Sequence, residues 1–289
     1  MRISDILKED KIRLSYEFFP PKANSPFEPV FNAVEEVAKL KPAFCSVTYG
    51  ASGGASANTM KVAGYIQNEL GGSVLAHLTC VLSKKEEIEG KLQEMKDQGI
   101  KNILALRGDL PTDDPDRREK DFMYASDLIK YLKENHDFCL GGACYPEGHV
   151  ESQDKDTDIG YLKLKEEVGA EFLTSQMFFD NNLFYNFMYK IRDRGIRIPI
   201  IPGIMPVTNV NQLKRIKELS GAQLPAKFVQ IADKFRDKPE AMKQAGIIYA
   251  SNQIIDLISN GFKLVHVYTM NKPEIAESIH DNLSNIIES

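Results

Sequence analysis

Glu17 stands in Tyr16-Glu17-Phe18-Phe19-Pro20-Pro21, a carboxyl set among aromatics and prolines. Apolar surroundings disfavour the ionised form and lift a carboxyl pKa, which suits a general acid working near neutral pH. Pairing of Glu17 with Lys22 or Arg13 at a strand end is the plainer alternative. Asp109 follows Arg107 and Gly108 at the end of an apolar run. Glycine lets the backbone approach a ligand closely, arginine suits an anion and aspartate suits a polarised ring. A turn started by Asp-Leu-Pro is the competing account. His77 alternates with apolar residues in Leu75-Ala76-His77-Leu78-Thr79 and reads as a core histidine. His149, in Tyr145-Pro146-Glu147-Gly148-His149, sits on a loop where a ligand can reach it. Gln176 is an uncharged amide beside Met177, Phe178 and Phe179, a setting that suits the edge of a heteroaromatic ring.

These residues lie in or at the ends of strand-like runs. The runs are 12–19, 43–49, 73–80, 101–108, 138–145, 171–179, 198–203 and 263–269. Further polar residues close such runs at Thr48-Tyr49 and Tyr268-Thr269. Amphipathic stretches separate them. Ile88, Leu92 and Met95 share one face of 84–98, and Phe184, Phe187, Met188 and Ile191 share one face of 183–194. The final stretch shows Ile275, Ile279, Leu283 and Ile286. Gly99, Gly169, Gly195 and Gly261 each follow a helical stretch and precede a strand, the place where a left-handed helix C-terminus needs glycine. Eight β-runs each followed by a helix predict an α/β fold, a (β/α)8 TIM barrel, as one domain over residues 1–289. Barrel enzymes carry their chemistry at the carboxyl ends of the strands. A doubly wound sheet is the competitor, but the first strand runs into FFPPK rather than a G-x-G-x-x-G turn.

Composition narrows the partners. Lys+Arg 36 against Asp+Glu 41 gives the 289 residues a net charge of -5. That balance argues against nucleic acid or an anionic membrane surface as partner, so an anionic ligand must be held by a few placed cations. The charged start and the lack of a long apolar run predict neither a signal peptide nor a membrane span, hence a cytoplasmic chain. Cys45, Cys80, Cys139 and Cys144 form no C-x-x-C pair and read as buried thiols. The five histidines are scattered, so no metal site is expected. The run 112–121, TDDPDRREKD, reads as a solvated loop.

Along nearly its whole length the sequence resembles methylenetetrahydrofolate reductase of the short bacterial type. The resemblance rests on SYEFFPPK (15–22), SVTYGA (46–51), AHLTC (76–80), ALRGDLP (105–111), MYASDL (123–128), YPEGH (145–149), QMFFD (176–180) and IIPGIMPV (200–207). It implies a barrel binding FAD without covalent attachment, and a ping-pong cycle. NADH or NADPH delivers hydride, and 5,10-methylenetetrahydrofolate then accepts it to become 5-methyltetrahydrofolate, feeding methionine synthesis and one-carbon metabolism. Glu17 matches the family's acid, and Asp109 matches a catalytic carboxylate between flavin and pterin. Thr48, Tyr49, Ala51, His77, Arg107, Gly108, Asp109, Ala125, Tyr145, His149, Asp158 and Lys165 match the FAD shell. Asp109, Gln176, Gln212 and Lys272 match folate contacts. Three departures stand out. Lys272 replaces a frequent arginine, Ile216 replaces an aromatic, and Tyr161 and Leu164 replace polar residues near the cofactor. The resemblance further implies a homo-oligomer, and the chain length predicts no C-terminal regulatory domain and no S-adenosylmethionine feedback. A barrel lyase would want a Schiff-base lysine or a metal at a strand end, and a flavin or folate storage module is the non-enzymatic alternative.

Overall fold

The computed structural model describes residues 1–49, 55–110, 120–213, 216 and 222–287. Ala51 and most of the run 112–121 lie outside the described residues. The strands are β1 (Arg13–Phe18), β2 (Cys45–Val47), β3 (Val74–Thr79), β4 (Asn102–Leu106), β5 (Cys139–Cys144), β6 (Phe172–Ser175), β7 (Ile200–Ile201), β8 (Gly203–Ile204) and β9 (Leu264–Val267). All pair in parallel, in the order β7-β6-β5-β4-β3-β2-β1-β9-β8. β7 and β8 are two pieces of one run interrupted at Pro202, which has no N–H to give to a ladder. β7 pairs with β6 and β8 with β9, so the ring closes through this run and the expected eight-stranded barrel is present.

The helices are α1 (Ile3–Ile6), α2 (Glu28–Ala38), α3 (Ala55–Gly64, continued by a π-turn), α4 (Lys85–Asp97), α5 (Ala125–Asn135), α6 (Lys155–Glu167), α7 (Asn181–Asp193), α8 (Ala226–Lys234), α9 (Pro239–Ser259) and α10 (Pro273–Asn282). Ile88, Leu92 and Met95 of α4 are buried, as are Phe184, Phe187 and Ile191 of α7. The four glycines expected to end helices all have positive φ. Two expectations need correction. β6 stops at Ser175 rather than running to residue 179, because after a last backbone bond from Gln176 to Cys144 the residues Met177, Phe178 and Phe179 turn into other packing clusters. Ile286 packs on the core but lies beyond α10, which ends at Asn282.

Three apolar clusters build the molecule. The largest fills the layer between strands and helices. A second plugs the amino-terminal mouth of the barrel, where Ile3 and Ile6 of α1 join Phe44, Leu75, Leu104 and Phe172. Asn102 fixes this plug. Its Oδ1 accepts from the Ile3 N–H at 2.8 Å, and its Nδ2 donates to the carbonyls of Met1 and Val74. Gly141 leaves room for Phe172, whose ring would lie 2.4 Å from an added Cβ. The third cluster gathers Phe179, Met205, Val207, Ile216 and Phe228 beyond the carboxyl end. The four cysteines are all buried and free, as expected. No helix among the described residues is long and apolar enough to cross a membrane.

Gly246 seats α9 against the loop that follows β8. A Cβ there would lie 1.8 Å from the Val207 carbonyl oxygen. Alanine ordinarily gains about 1 kcal/mol over glycine in a helix interior, but overpacking against fixed backbone costs about 1–3 kcal/mol. Gly246→Ala is expected to destabilise the fold, lowering the midpoint of denaturant unfolding without changing its slope; a raised midpoint would refute this seating.

Candidate active site

Alternation along the strands sorts the side chains. Tyr16 and Phe18 turn outward into the helix-facing core, while Ser15 and Glu17 turn into the barrel. In the ladders, Glu17 lies opposite Ser46, Ser46 opposite Leu75, and Ser15 opposite His266. The result is a cavity of about 640 Å3 at the carboxyl ends of the strands, where a barrel active site belongs. Its wall is mainly apolar, from Leu75, Leu104, Leu106, Ala143, Met177, Met205 and Ile216. The polar groups on it are few: Glu17, Ser46, His77, Gln176, Gln212, His266, Tyr268 and Lys272 among them.

Glu17 is buried, and its Oε2 lies 3.7 Å from His77 Nε2 and 4.0 Å from His266 Nε2. The surround is therefore less apolar than the aromatic sequence suggests, because the neighbouring rings point to the other face of the strand. Arg13, one alternative partner from sequence, instead pairs with Glu9 at 2.7 Å, and the other, Lys22, is exposed. Each histidine is held by a serine. Ser46 Oγ lies 2.6 Å from His77 Nε2, and Ser15 Oγ lies 2.8 Å from His266 Nδ1. Burial pushes the His77 pKa down to about 4, with Glu17 opposing that shift and His266 adding to it. His77 is thus a neutral imidazole at physiological pH.

A second group of side chains collects at the ends of β4 and β5. The Arg107 guanidinium makes a fork to Glu151, at 2.5 and 2.8 Å, which raises its pKa. Gly108 has φ +88°, and Thr79 Cβ lies 3.1 Å from where its own Cβ would be. Lys165 reaches from α6 across Gly142 and donates to the Ala143 carbonyl at 2.7 Å. Burial pushes its pKa down. Ser152 donates to the buried Asp158 at 3.0 Å. The His149 and Tyr145 rings meet edge to face at 4.6 Å. Burial lowers the His149 pKa and pushes that of Tyr145 up to about 12.

Gln176 Oε1 accepts from the Met177 N–H at 2.9 Å, and Gln212 Oε1 accepts from Thr208 and Asn209 N–H at 2.9 and 3.0 Å. Backbone donors can face only an amide oxygen, so each glutamine has its NH2 group left to offer a ligand. Lys272 lines the cavity just before α10. Other expected site residues lie apart from the cavity wall. Asp109 is exposed on the loop after β4. The Thr48 carbonyl accepts from Thr59, the Tyr49 ring lies under Lys91, and Ala125 is buried at the start of α5. Tyr161 and Leu164 are exposed on α6. Sequence reading alone misses Ser15, Ser46 and His266; the signal that finds them is the period-two alternation that also picks out Glu17 and His77.

A model of the family described as methylenetetrahydrofolate reductase matches residues 2–284. The chain belongs to this family. It is 36% identical over 298 residues to methylenetetrahydrofolate reductase 1 of Schizosaccharomyces pombe, covering 100% of this chain and 49% of that one. It is 35% identical over 271 residues to 5,10-methylenetetrahydrofolate reductase of Escherichia coli, covering 94% of this chain and 90% of the relative. A third relative, methylenetetrahydrofolate reductase (NADH) 1 of Arabidopsis thaliana, is 32% identical over 301 residues, 100% of this chain and 51% of that one. The chain thus spans about half the length of the yeast and plant relatives. Among solved structures, a Clostridium thermocellum protein described as binding two copies of 5-methyl-5,6,7,8-tetrahydrofolic acid has the same fold. It superposes with a TM-score of 0.66 at 15% identity, over 99% of both chains.

The depressed His77 pKa has a thermodynamic consequence. Between about pH 6.5 and about 4 the unfolded chain takes up a proton at His77 and the folded chain does not. Stability from this group is therefore full above pH 6.5 and falls as the pH drops through that window, by about 3 kcal/mol in all. His77→Gln is expected to flatten the fall in unfolding free energy over that range relative to wild type. Parallel curves would contradict a neutral buried imidazole.

Proposed function

We propose that the chain reduces 5,10-methylenetetrahydrofolate to 5-methyltetrahydrofolate, with bound FAD and with NADH or NADPH as electron donor. The observation that carries this reading is Glu17, a buried carboxyl flanked by two imidazoles at the wall of a large apolar cavity, in a chain of this family. The residues present fit FAD. The cavity offers a broad apolar wall for a flat ring system, and Arg107 and Lys165 bring cations to the adjoining ends of β4 and β5. Gly108, at φ +88° and packed against Thr79, sets the backbone turn at the same place. The FAD shell would be Thr48, Tyr49, Ala51, His77, Arg107, Gly108, Asp109, Ala125, Tyr145, His149, Asp158 and Lys165. When bound, FAD supplies a hydride carrier between donor and folate.

The chain's own residues have separable tasks in this reading. The five-membered ring of the folate must open to a 5-iminium cation before its one-carbon unit can accept hydride. Opening needs a proton on the departing amine nitrogen, and Glu17 delivers it. The neutral His77 beside it adds no positive charge against the iminium. Gln176 and Gln212 donate amide hydrogens to acceptor atoms on the pterin edge, Lys272 meets the carboxylates of the folate tail as a point charge, and Asp109 contacts the pterin from its loop. Arg107, now forked to Glu151, would be a cation for the anionic part of the cofactor.

Two measurements test this. The purified protein should be yellow and release FAD on denaturation; colourless, flavin-free protein that takes up no added FAD would sink the reading. Glu17→Gln should slow folate reduction by about 10²–10⁴-fold while reduction of the bound flavin by NADH or NADPH changes by about twofold or less. Full folate turnover by that variant would remove Glu17 from its role, and absence of turnover in wild type would favour a storage module.

A further inference from the structure

The barrel closes between β6 and β8 in an unusual way. Leu173 pairs with Ile200 and Thr174 with Ile201, and Leu173 N–H donates to the Pro199 carbonyl at 2.9 Å. In a parallel ladder the next step would bring the Gly203 N–H to the Ser175 carbonyl. It does not arrive there. The Gly203 N–H donates at 2.9 Å to the Ser175 hydroxyl instead, and the Ser175 carbonyl accepts from the Tyr268 hydroxyl at 2.6 Å. Ser175 and Tyr268 thus take over a rung that the backbone gave up, at the point where Pro202 interrupts the run. The fit is close: a Cβ on Gly203 would lie 2.5 Å from the Ser175 carbonyl oxygen and 2.6 Å from the Tyr268 ring.

The same serine fixes its neighbour. Its hydroxyl donates to the Gln176 carbonyl at 3.0 Å, the Gln176 N–H donates to the Cys144 carbonyl at 2.8 Å, and the Gln176 Oε1 is held by Met177. Every polar group of Gln176 is then committed except its NH2, and the residue lines the cavity. We infer that Ser175 and Tyr268 form a clasp that positions Gln176, so that the Tyr268 hydroxyl, spent on the Ser175 carbonyl, governs folate affinity through Gln176 although its ring lines the same cavity. Ser175 is wholly buried, and burial holds the Tyr268 hydroxyl protonated at any working pH, so the clasp is a permanent donor. The inference rests on the folate reading of the cavity.

The test is a double-mutant cycle on the FAD-loaded protein, read as the dissociation constant for 5-methyltetrahydrofolate. Tyr268→Phe removes the hydroxyl and keeps the ring. It should weaken binding roughly tenfold, the scale of one lost buried hydrogen bond and the misplacement it allows. Ser175→Ala should act in the same direction. In a Gln176→Ala background, Tyr268→Phe should produce no further weakening, because the residue it acts through is gone. Undiminished affinity in Tyr268→Phe, or the same loss with and without Gln176, overturns the inference. So does loss of folding or of bound FAD in both clasp variants, which would make the clasp purely structural. If wild type itself does not bind 5-methyltetrahydrofolate, the folate reading fails and the inference falls with it, an outcome distinct from tight wild-type binding that Tyr268→Phe leaves unchanged.

Discussion

A carboxyl and two imidazoles share the buried wall of a barrel cavity, and the cost of removing charge from water shapes everything around them. A buried charge must be paired or given up. His77 gives its charge up, and each imidazole is steered by a serine hydroxyl on an adjoining strand. The carboxyl is left with a neutral His77 on one side and an open cavity on the other. That is the arrangement in which a proton can be passed to a bound molecule rather than lost to a fixed counter-charge.

The rest of the molecule closes the other sides of that cavity. Parallel strands covered by helices put an apolar layer outside the ring, and α1 stops its amino-terminal end with isoleucines. Water is thereby confined to the carboxyl end, where the loops stand. The floor needs one polar fixture, Asn102, whose amide satisfies backbone groups from two directions. The third cluster, carrying Met205 and Ile216, forms part of the cavity wall and ties the loop after β8 to α8 and α9.

How much of this was legible in the sequence depends on the kind of signal. The eight β/α units follow from periodicity and from glycines at helix ends, and both are local. Glu17 was conspicuous by type, but its neighbours in sequence are not its neighbours in space. Phe18 and Tyr16 surround it in the string and face away from it in the fold, whereas His266 is remote in sequence and 4.0 Å distant in space. Ser15 and Ser46 are unremarkable residues whose meaning comes only from ladder register. The break at Pro202 is visible as a residue, yet the substitution of a rung by Ser175 and Tyr268 is not, because it joins three strands. Family resemblance fills part of this gap by naming residues such as Gln212, but not by showing that its amide oxygen already caps a helical turn.

The four cysteines carry a consequence of their own. All are buried, and burial pushes the thiols of Cys45, Cys80 and Cys144 up to about 12. Only the thiolate attacks electrophiles or is readily oxidised. Folding therefore shields all four thiols from alkylating and oxidising reagents. When the ring opens, thiols on β2, β3–α4, and the two ends of β5 become reactive together. The strand thiols Cys45, Cys139 and Cys144 thus time openings of the ring itself, while Cys80, just past the end of β3, also answers to movement of the loop that follows.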